Sequence, residues 1–383
     1  MNNSEAFTLG QGAMTDIVFC HLLNDVSGSP RVLMSVIASL TIGGERAKLF
    51  IGSDGCGNLT HSGIPIKRYW YKRTGYRVLT LFTYFFSQFI LFFKLLRDRS
   101  ISPHAIIYVN TLLPFGAAIY GKLTGRKVIY HIHEISITPA PLKYLLIGIA
   151  HKTSDLNIYV SDAHIEALPI AGIPFRRVHN ALDIGFSKCA SSSIYADRRG
   201  GRFNILMVSS LRDYKGIPEL LALAKAVIKK PEMYFDLVLN DDPATVDSYF
   251  SRKDIPENLK IHSRASDITP YYSKASLLLS LTRVDHCVET FGMTILEAMA
   301  FGIPSIVPPL GGPAELVKDG IEGFYVDSRD LELLIFRVLE LFNNKSLCIS
   351  MSQASRTRAA DFSIVRFTED ISNAVDLVRR LKG

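Results

Sequence analysis

The chain has 383 residues, 48% hydrophobic and 10% aromatic, which excludes a disordered polypeptide and suits two globular domains better than one. Its formal charge of +7 sits in the first half: residues 1–190 hold 19 Lys and Arg against 11 Asp and Glu, and the remainder 24 against 25. No nucleic-acid module or basic–aromatic pattern accompanies that excess, so nucleic acid is not expected as a partner; an anionic membrane surface would account for it, and so would an ordinary solvated surface. Cys20, Cys56, Cys189, Cys287 and Cys348 are scattered, without metal-ligand or redox spacing, so reduced thiols and a cytoplasmic location are expected. The polar opening, residues 1–14, does not read as a secretory signal and is expected as a poorly ordered tail.

Asp16 to Leu22 reads as a buried strand, followed by a small-residue loop with Gly28 and a helix from Arg31 to Leu40. A strand, a tight turn and a helix N-terminus can approach a phosphate; without G-x-G-x-x-G, dinucleotide binding is not supported, and a plain turn fits equally. The Gly52–Gly57 cluster after the strand Ala47 to Ile51 reads as a turn. Tyr76 to Leu96 is the most apolar run, near the length of a membrane span. Thr80, Thr83, Ser87 and Gln88 interrupt it, and basic residues flank both ends. A core-facing helix is the favoured reading; an interfacial helix with basic anchors is a second, and a true span the least favoured.

Ala105 to Val109 and Lys127 to Tyr130 read as strands around a helix, Leu112 to Leu123. The second delivers His131, His133 and Glu134, without a third metal ligand of convincing spacing. A helix (142–151), a strand (155–160) and a helix capped at Ser161 follow, and Lys188 to Arg202 is polar enough for an interdomain linker. Beyond it, strand and helix alternate: strands at 203–208, 234–239, 259–262 and 276–280, helices at 218–226 and 268–274. Asp241-Asp242 reads as a turn, not a metal site.

The stretch from Val288 to Pro304 combines a glycine turn at Gly292, an apolar helix from Met293 to Phe301, and a Gly302-x-Pro304 stop. Burial explains the apolar residues but not Glu289. Glu289, Glu297, the hydroxyl of Thr294 and the free N–H groups of a helix start suit sugar hydroxyls, a ribose and a diphosphate. Helices at 331–342, 346–360 and 364–381 close the chain. The alternation predicts an α/β protein with parallel sheets.

Glu289, seven residues, Glu297, then Ala-Met-Ala-x-Gly-x-Pro, with Gly311-Gly312 and Glu315 in register, resembles the signature of glycosyltransferase family 4, the retaining group 1 enzymes. The resemblance implies a GT-B fold: two Rossmann-like domains with parallel sheets facing a central cleft, spanning 15–190 and 203–363, a linker at 191–202, and a final helix at 364–383 crossing back to the first domain. Ser210 to Gly216 resembles the family's G-R-L-x-x-x-K-G, with Ser210 where the family has Arg, Arg212 two residues on, and Lys215-Gly216 matching. By resemblance Lys215, with Arg212, would meet the donor diphosphate. Phe291, Gly292, Met293 and Thr294 would line the donor, Glu289 would hold the sugar and the positive face of the transition state, and Glu297 the ribose. Backbone near Arg264 would meet the base, Gly28 the diphosphate, and His133 the donor sugar.

The resemblance therefore implies transfer of a sugar, with retention, from a nucleotide-sugar donor to a glycan or lipid-linked oligosaccharide acceptor. Neither metal nor other cofactor is required on this reading. Assembly of O-antigen or another surface polysaccharide, with peripheral contact at the inner face of the cytoplasmic membrane, would follow. A GT-B sugar-nucleotide epimerase and a non-catalytic nucleotide-sugar or membrane-binding protein are the alternatives.

Overall fold

The structure, a computed structural model, describes residues 14–381 apart from Val26, Cys56 and Ser266; of the tail expected over residues 1–14, residues 1–13 lie outside them. Its contacts divide the chain into two compact units. Unit 1 runs to Tyr159 and adds Ile170–Arg176 and the segment from Thr368; unit 2 is Val160–Pro169 with Arg177–Phe367. Residues 177–190, assigned by sequence to the first domain, thus make their contacts in unit 2.

Unit 1 is built on β1 (Thr15–His21), β2 (Ala47–Gly52), β3 (Ile66–Tyr69), β4 (Ile101–Asn110), β5 (Val128–His131), β6 (Leu156–Tyr159) and β7 (Phe175–Arg177), in the order β3-β2-β1-β4-β5-β6-β7. Pairing is parallel from β3 through β6. Its helices are α1 (Gly28–Ile42), α2 (Arg77–Arg97), α3 (Phe115–Leu123) and α4 (Ala140–Thr153). Parallel strands need crossovers, which the helices supply, and the sheet is buried on both faces.

Unit 2 carries α5 (Asp162–Ala167), α6 (Ile184–Ser192), α7 (Ile217–Ala226), α8 (Pro243–Phe250), α9 (Thr269–Lys274), α10 (Met293–Phe301), α11 (Gly312–Leu316), α12 (Leu331–Asn343) and α13 (Lys345–Ala359). Its strands β8 (Phe203–Ser209), β9 (Met233–Leu239), β10 (Leu259–Ser263), β11 (Leu277–Leu279), β12 (Ser305–Val307) and β13 (Gly323–Tyr325) are ordered β10-β9-β8-β11-β12-β13, all parallel. Strand alternation divides the core: Ile205, Met207, Leu277 and Leu279 join one apolar cluster, while Leu206 and Leu278 join the other with Ile295, Leu296 and Met299 of α10. Each such fully buried side chain contributes about 1.5–3 kcal/mol. The last helix, α14 (Ile364–Arg380), crosses from one unit to the other at Thr368. Within unit 1, Thr368 meets Ser39 at 2.8 Å and Arg379 pairs with Glu45 at 2.8 Å.

Several elements differ from expectation for local reasons. The first part of the presumed linker is helical: Asp183 accepts a bond from Phe186 N (2.8 Å) as the N-cap of α6, and Phe186 and Ala190 are buried. β3 and β7 are short strands with exposed arginines, so they lack an apolar signature. Asp242 caps α8 by accepting from Thr245 N at 3.0 Å. The described cysteines, Cys20, Cys189, Cys287 and Cys348, are free thiols.

The favoured core-facing reading of 76–96 is corrected. α2 turns Thr83, Tyr84, Ser87, Gln88, Leu91 and Leu95 inward and leaves Phe82, Phe86, Phe89 and Phe93 exposed. The inward polar groups are used: Thr83 donates to Lys72 O (2.7 Å), Tyr84 OH to Leu113 O (2.7 Å), and Gln88 accepts from Gly116 N (3.2 Å).

His21, at the end of β1, is buried, and desolvation lowers its pKa to about 4, against a raising effect from Asn110. Between about 6.5 and 4 the unfolded chain binds a proton that the folded chain refuses, so stability falls as pH drops through that window. Urea denaturation should show a loss reaching about 2 kcal/mol from this group between pH 6.5 and 5, and His21→Asn should flatten the slope. An unchanged slope in the variant would refute the assignment.

Candidate functional site

In a parallel sheet of this order, loops diverge at the carboxyl ends of the strands where the order reverses, leaving a crevice for ligands. In unit 2 that point lies between β8 and β11. The loop leaving β8 carries Lys215, and the segment beyond β11 carries Thr282 and Glu289. Lys215 Nζ lies 2.6 Å from Glu289 Oε1, which also accepts from Thr282 Oγ1 at 2.6 Å. The two charged side chains are 22% and 18% exposed. Burial pushes the Glu289 carboxyl up, but the Lys215 charge and the bonds from Lys215 and Thr282 outweigh it and hold the pKa below its ordinary value. For Lys215, burial favours the neutral amine and Glu289 outweighs it, raising the pKa. Both groups are thus charged at neutral pH.

Two glycines fix this geometry. Gly216 has φ +90°, and a Cβ there would stand 2.3 Å from the Leu281 Cβ, so Lys215-Gly216 can press against the end of β11 only with glycine. Gly312 N donates to Glu289 O at 2.9 Å, and a Cβ on Gly312 would meet Phe291 Cα at 2.3 Å. Ser161, which also caps α5 through His164 N (3.0 Å), donates to Thr290 O at 2.6 Å. The loop carrying Glu289 is therefore held from two sides within unit 2.

Gly292, left-handed at φ +109°, starts α10, and Met293 and Thr294 form its partly exposed first turn. That helix start follows Glu289 by three residues and offers backbone N–H groups to an anion. The side chain of Phe291 is buried against His179 and Phe362, so it lines the core. Glu297 is wholly buried, and its Oε2 accepts from the Tyr272 hydroxyl at 2.7 Å. The structure thus brings Lys215 and Glu289 together and keeps Glu297 on the buried face of α10, against Tyr272.

Arg212 is exposed, and its guanidinium donates back to Leu211 O at 2.9 Å; Ser210 O accepts from Arg212 N at 2.9 Å. Asp241, at the end of β9, accepts from Leu211 N at 2.6 Å and steadies the same loop. Arg264 follows β10 at φ +35° and donates its N–H to Leu239 O at 2.8 Å.

In unit 1, Asn110 at the end of β4 is a hub. Its side chain lies 3.1 Å from His21 Nδ1, accepts from His133 Nε2 (3.0 Å) and donates to Ser29 O (3.2 Å), beside Gly28 at the start of α1. A Cβ on Gly28 would meet nothing. His131 is buried, bonded to Tyr108 at 2.8 Å and 4.3 Å from the His133 ring. Glu134 accepts the backbone N–H groups of Leu112 and His133, each at 3.2 Å. Thr111 has φ +75°, a conformation that non-glycine residues hold only where surroundings enforce it.

Nearby, a cavity of about 390 Å³ is lined by Asn24, Asp25, Asp54, Gly55, Arg73 and Thr74, side chains suited to polar hydroxyl-rich ligands. Sequence reasoning passed over it, together with Thr282 and Tyr272. Thr282 was findable as a hydroxyl just past a switch-point strand; Asp54 and Arg73 are too far apart in sequence to signal each other.

Residues 196–358 match the family described as Glycosyl transferases group 1. An uncharacterized glycosyltransferase of Haemophilus influenzae is 27% identical over 169 residues, 43% of this chain; the match spans about half of that relative (47%). Among solved structures, HepE of Anabaena in complex with UDP and glucose superposes with a TM-score of 0.74 at 20% identity, covering 94% of this chain and 99% of HepE. WaaG, a glycosyltransferase involved in lipopolysaccharide biosynthesis, gives 0.70 at 14%, covering 94% and 99%. The chain has the GT-B fold, and the segment that matches the group 1 glycosyltransferases is the one that holds Lys215, Thr282, Glu289 and Glu297.

A largely desolvated ion pair adds little net stability, but breaking it strands a charge. Lys215→Met alone should destabilise unit 2 by about 1–3 kcal/mol, and Lys215→Met with Glu289→Leu should recover most of that loss in urea denaturation. A double variant as unstable as the single would contradict the pairing.

Proposed function

We propose that the protein transfers a sugar from a nucleotide-sugar donor to a glycan acceptor, with retention at the anomeric carbon. The observation that carries this reading is the Lys215–Glu289–Thr282 cluster at the switch point of unit 2, three residues before the start of α10. A diphosphate entering there meets the Lys215 ammonium and the helix N-terminus, the two groups best suited to charge growing on a leaving phosphate. As the diphosphate takes up Lys215, Glu289 is released from its ion pair, its loop still held by Gly312 and Ser161, and accepts hydroxyls of the transferred sugar. Its negative charge then faces the positive charge developing at the anomeric carbon.

The base is read by backbone near Arg264, and the ribose by Glu297 once Tyr272 gives way. In unit 1, His133, aligned by Asn110, is a hydrogen-bond partner for a sugar hydroxyl, and the cavity lined by Asp25, Asp54 and Arg73 takes the acceptor's hydroxyls. The cations at the donor site are Lys215 and, in the bound state, Arg212, with no metal required; activity abolished by a chelator would contradict that. The likeness in fold to WaaG supports a place in surface-polysaccharide assembly.

The test is release of nucleoside diphosphate from a panel of UDP-, GDP-, ADP- and dTDP-sugars. Glu289→Gln keeps the side-chain shape and should lower turnover by about 100-fold or more, in a protein that still folds but is destabilised by about 1–3 kcal/mol because Lys215 loses its counter-charge. Turnover within a few-fold of wild type would overturn the role given to Glu289.

A further inference from the structure

Among the described residues nothing covers the exposed face of α2. Phe82, Phe86, Phe89, Phe93 and Leu96 follow one another at spacings of four and three residues, one stripe of a helix, and all are exposed, Phe82 to 72% and Phe89 to 63%. Trp70, the one tryptophan of the chain, is 43% exposed and packs edge-on against Phe86, ring centroids 5.7 Å apart. Such a patch on a soluble surface marks a contact. It is not a packing accident, because the opposite, polar face of α2 is the one bonded into unit 1, to Lys72 O, Leu113 O and Gly116 N.

The charge around the stripe says what covers it. Between Lys67 and Arg99 the sequence has eight Lys and Arg and a single acid, Asp98, which Lys48 and Lys67 already pair. Lys72, Arg73 and Arg77 lie exposed toward one end of the stripe, and Arg68, Lys94, Arg97 and Arg99 toward the other. Two copies meeting through this face would bring like charges together. An apolar stripe with a tryptophan and basic ends fits the interface of an anionic bilayer, with rings among the acyl chains and cations at the head groups. Although α2 is long and apolar enough to cross a membrane, its bonded polar face requires protein on that side, so it lies in the interface plane.

We propose that α2 and Trp70 dock the protein on an anionic lipid surface. The binding needs no donor or acceptor, so it stands or falls separately from the transfer reaction. The full chain is mixed with vesicles of phosphatidylcholine, with or without phosphatidylglycerol, and followed by co-sedimentation and by Trp70 fluorescence. The expected result is several-fold more protein on the anionic vesicles, a blue shift of the Trp70 emission, and loss of binding at high salt. Phe82→Ser with Phe86→Ser and Phe89→Ser should abolish binding while the melting temperature stays unchanged. No binding by the wild type, binding that survives the triple substitution, or a wild-type dimer that the substitution converts to monomer would each overturn the proposal.

Discussion

The 2.6 Å contact between Lys215 and Glu289 is the constraint around which unit 2 is arranged. Each charge is mostly removed from water, and neither could remain there alone without a penalty of several kcal/mol. Holding both requires the loop after β8 and the loop before α10 to arrive at one point. Gly216 and Gly312 permit that approach, because a Cβ at either would collide with Leu281 or Phe291. The family's Lys-Gly and Gly-Gly elements thus have a steric meaning here: they deliver opposite charges to one spot at the switch point of a parallel sheet.

Unit 1 uses a neutral device for the same end. Asn110 ties the ends of β1 and β4 to His133 beyond β5, and Glu134 is spent on the backbone of Leu112 and His133. His131, His133 and Glu134 together look like metal ligands in a sequence. In the fold Glu134 holds backbone and His131 is a buried partner of Tyr108.

The fold was legible because its buried parallel strands are nearly continuous apolar runs. α10 was placed at Met293–Phe301, the observed limits, since Gly292 opens it and Gly302 and Pro304 close it. Within the candidate site, the spacing of Glu289 and Glu297 exposed both carboxylates but not their different fates, one paired at a loop and one on the buried face of α10. Burial of Glu297 depends on the Tyr272 hydroxyl, 25 residues earlier, and no local pattern encodes that contact. α2 misled for the same reason. Its apolar periodicity is strong, and periodicity alone assigns the apolar face to the core, whereas Tyr84 and Gln88 find partners on α3 and the segment before it.

The central claim is that Lys215 is the cation of a nucleotide-sugar site. Its most direct test is the thermal shift of wild type and Lys215→Ala in the presence of UDP, GDP, ADP or dTDP, because a ligand that binds only the folded chain raises its melting temperature by mass action. The account predicts that one nucleoside diphosphate stabilises the wild type and that most of this shift is lost in the variant. No shift with any of the four, or equal shifts in both proteins, would contradict it.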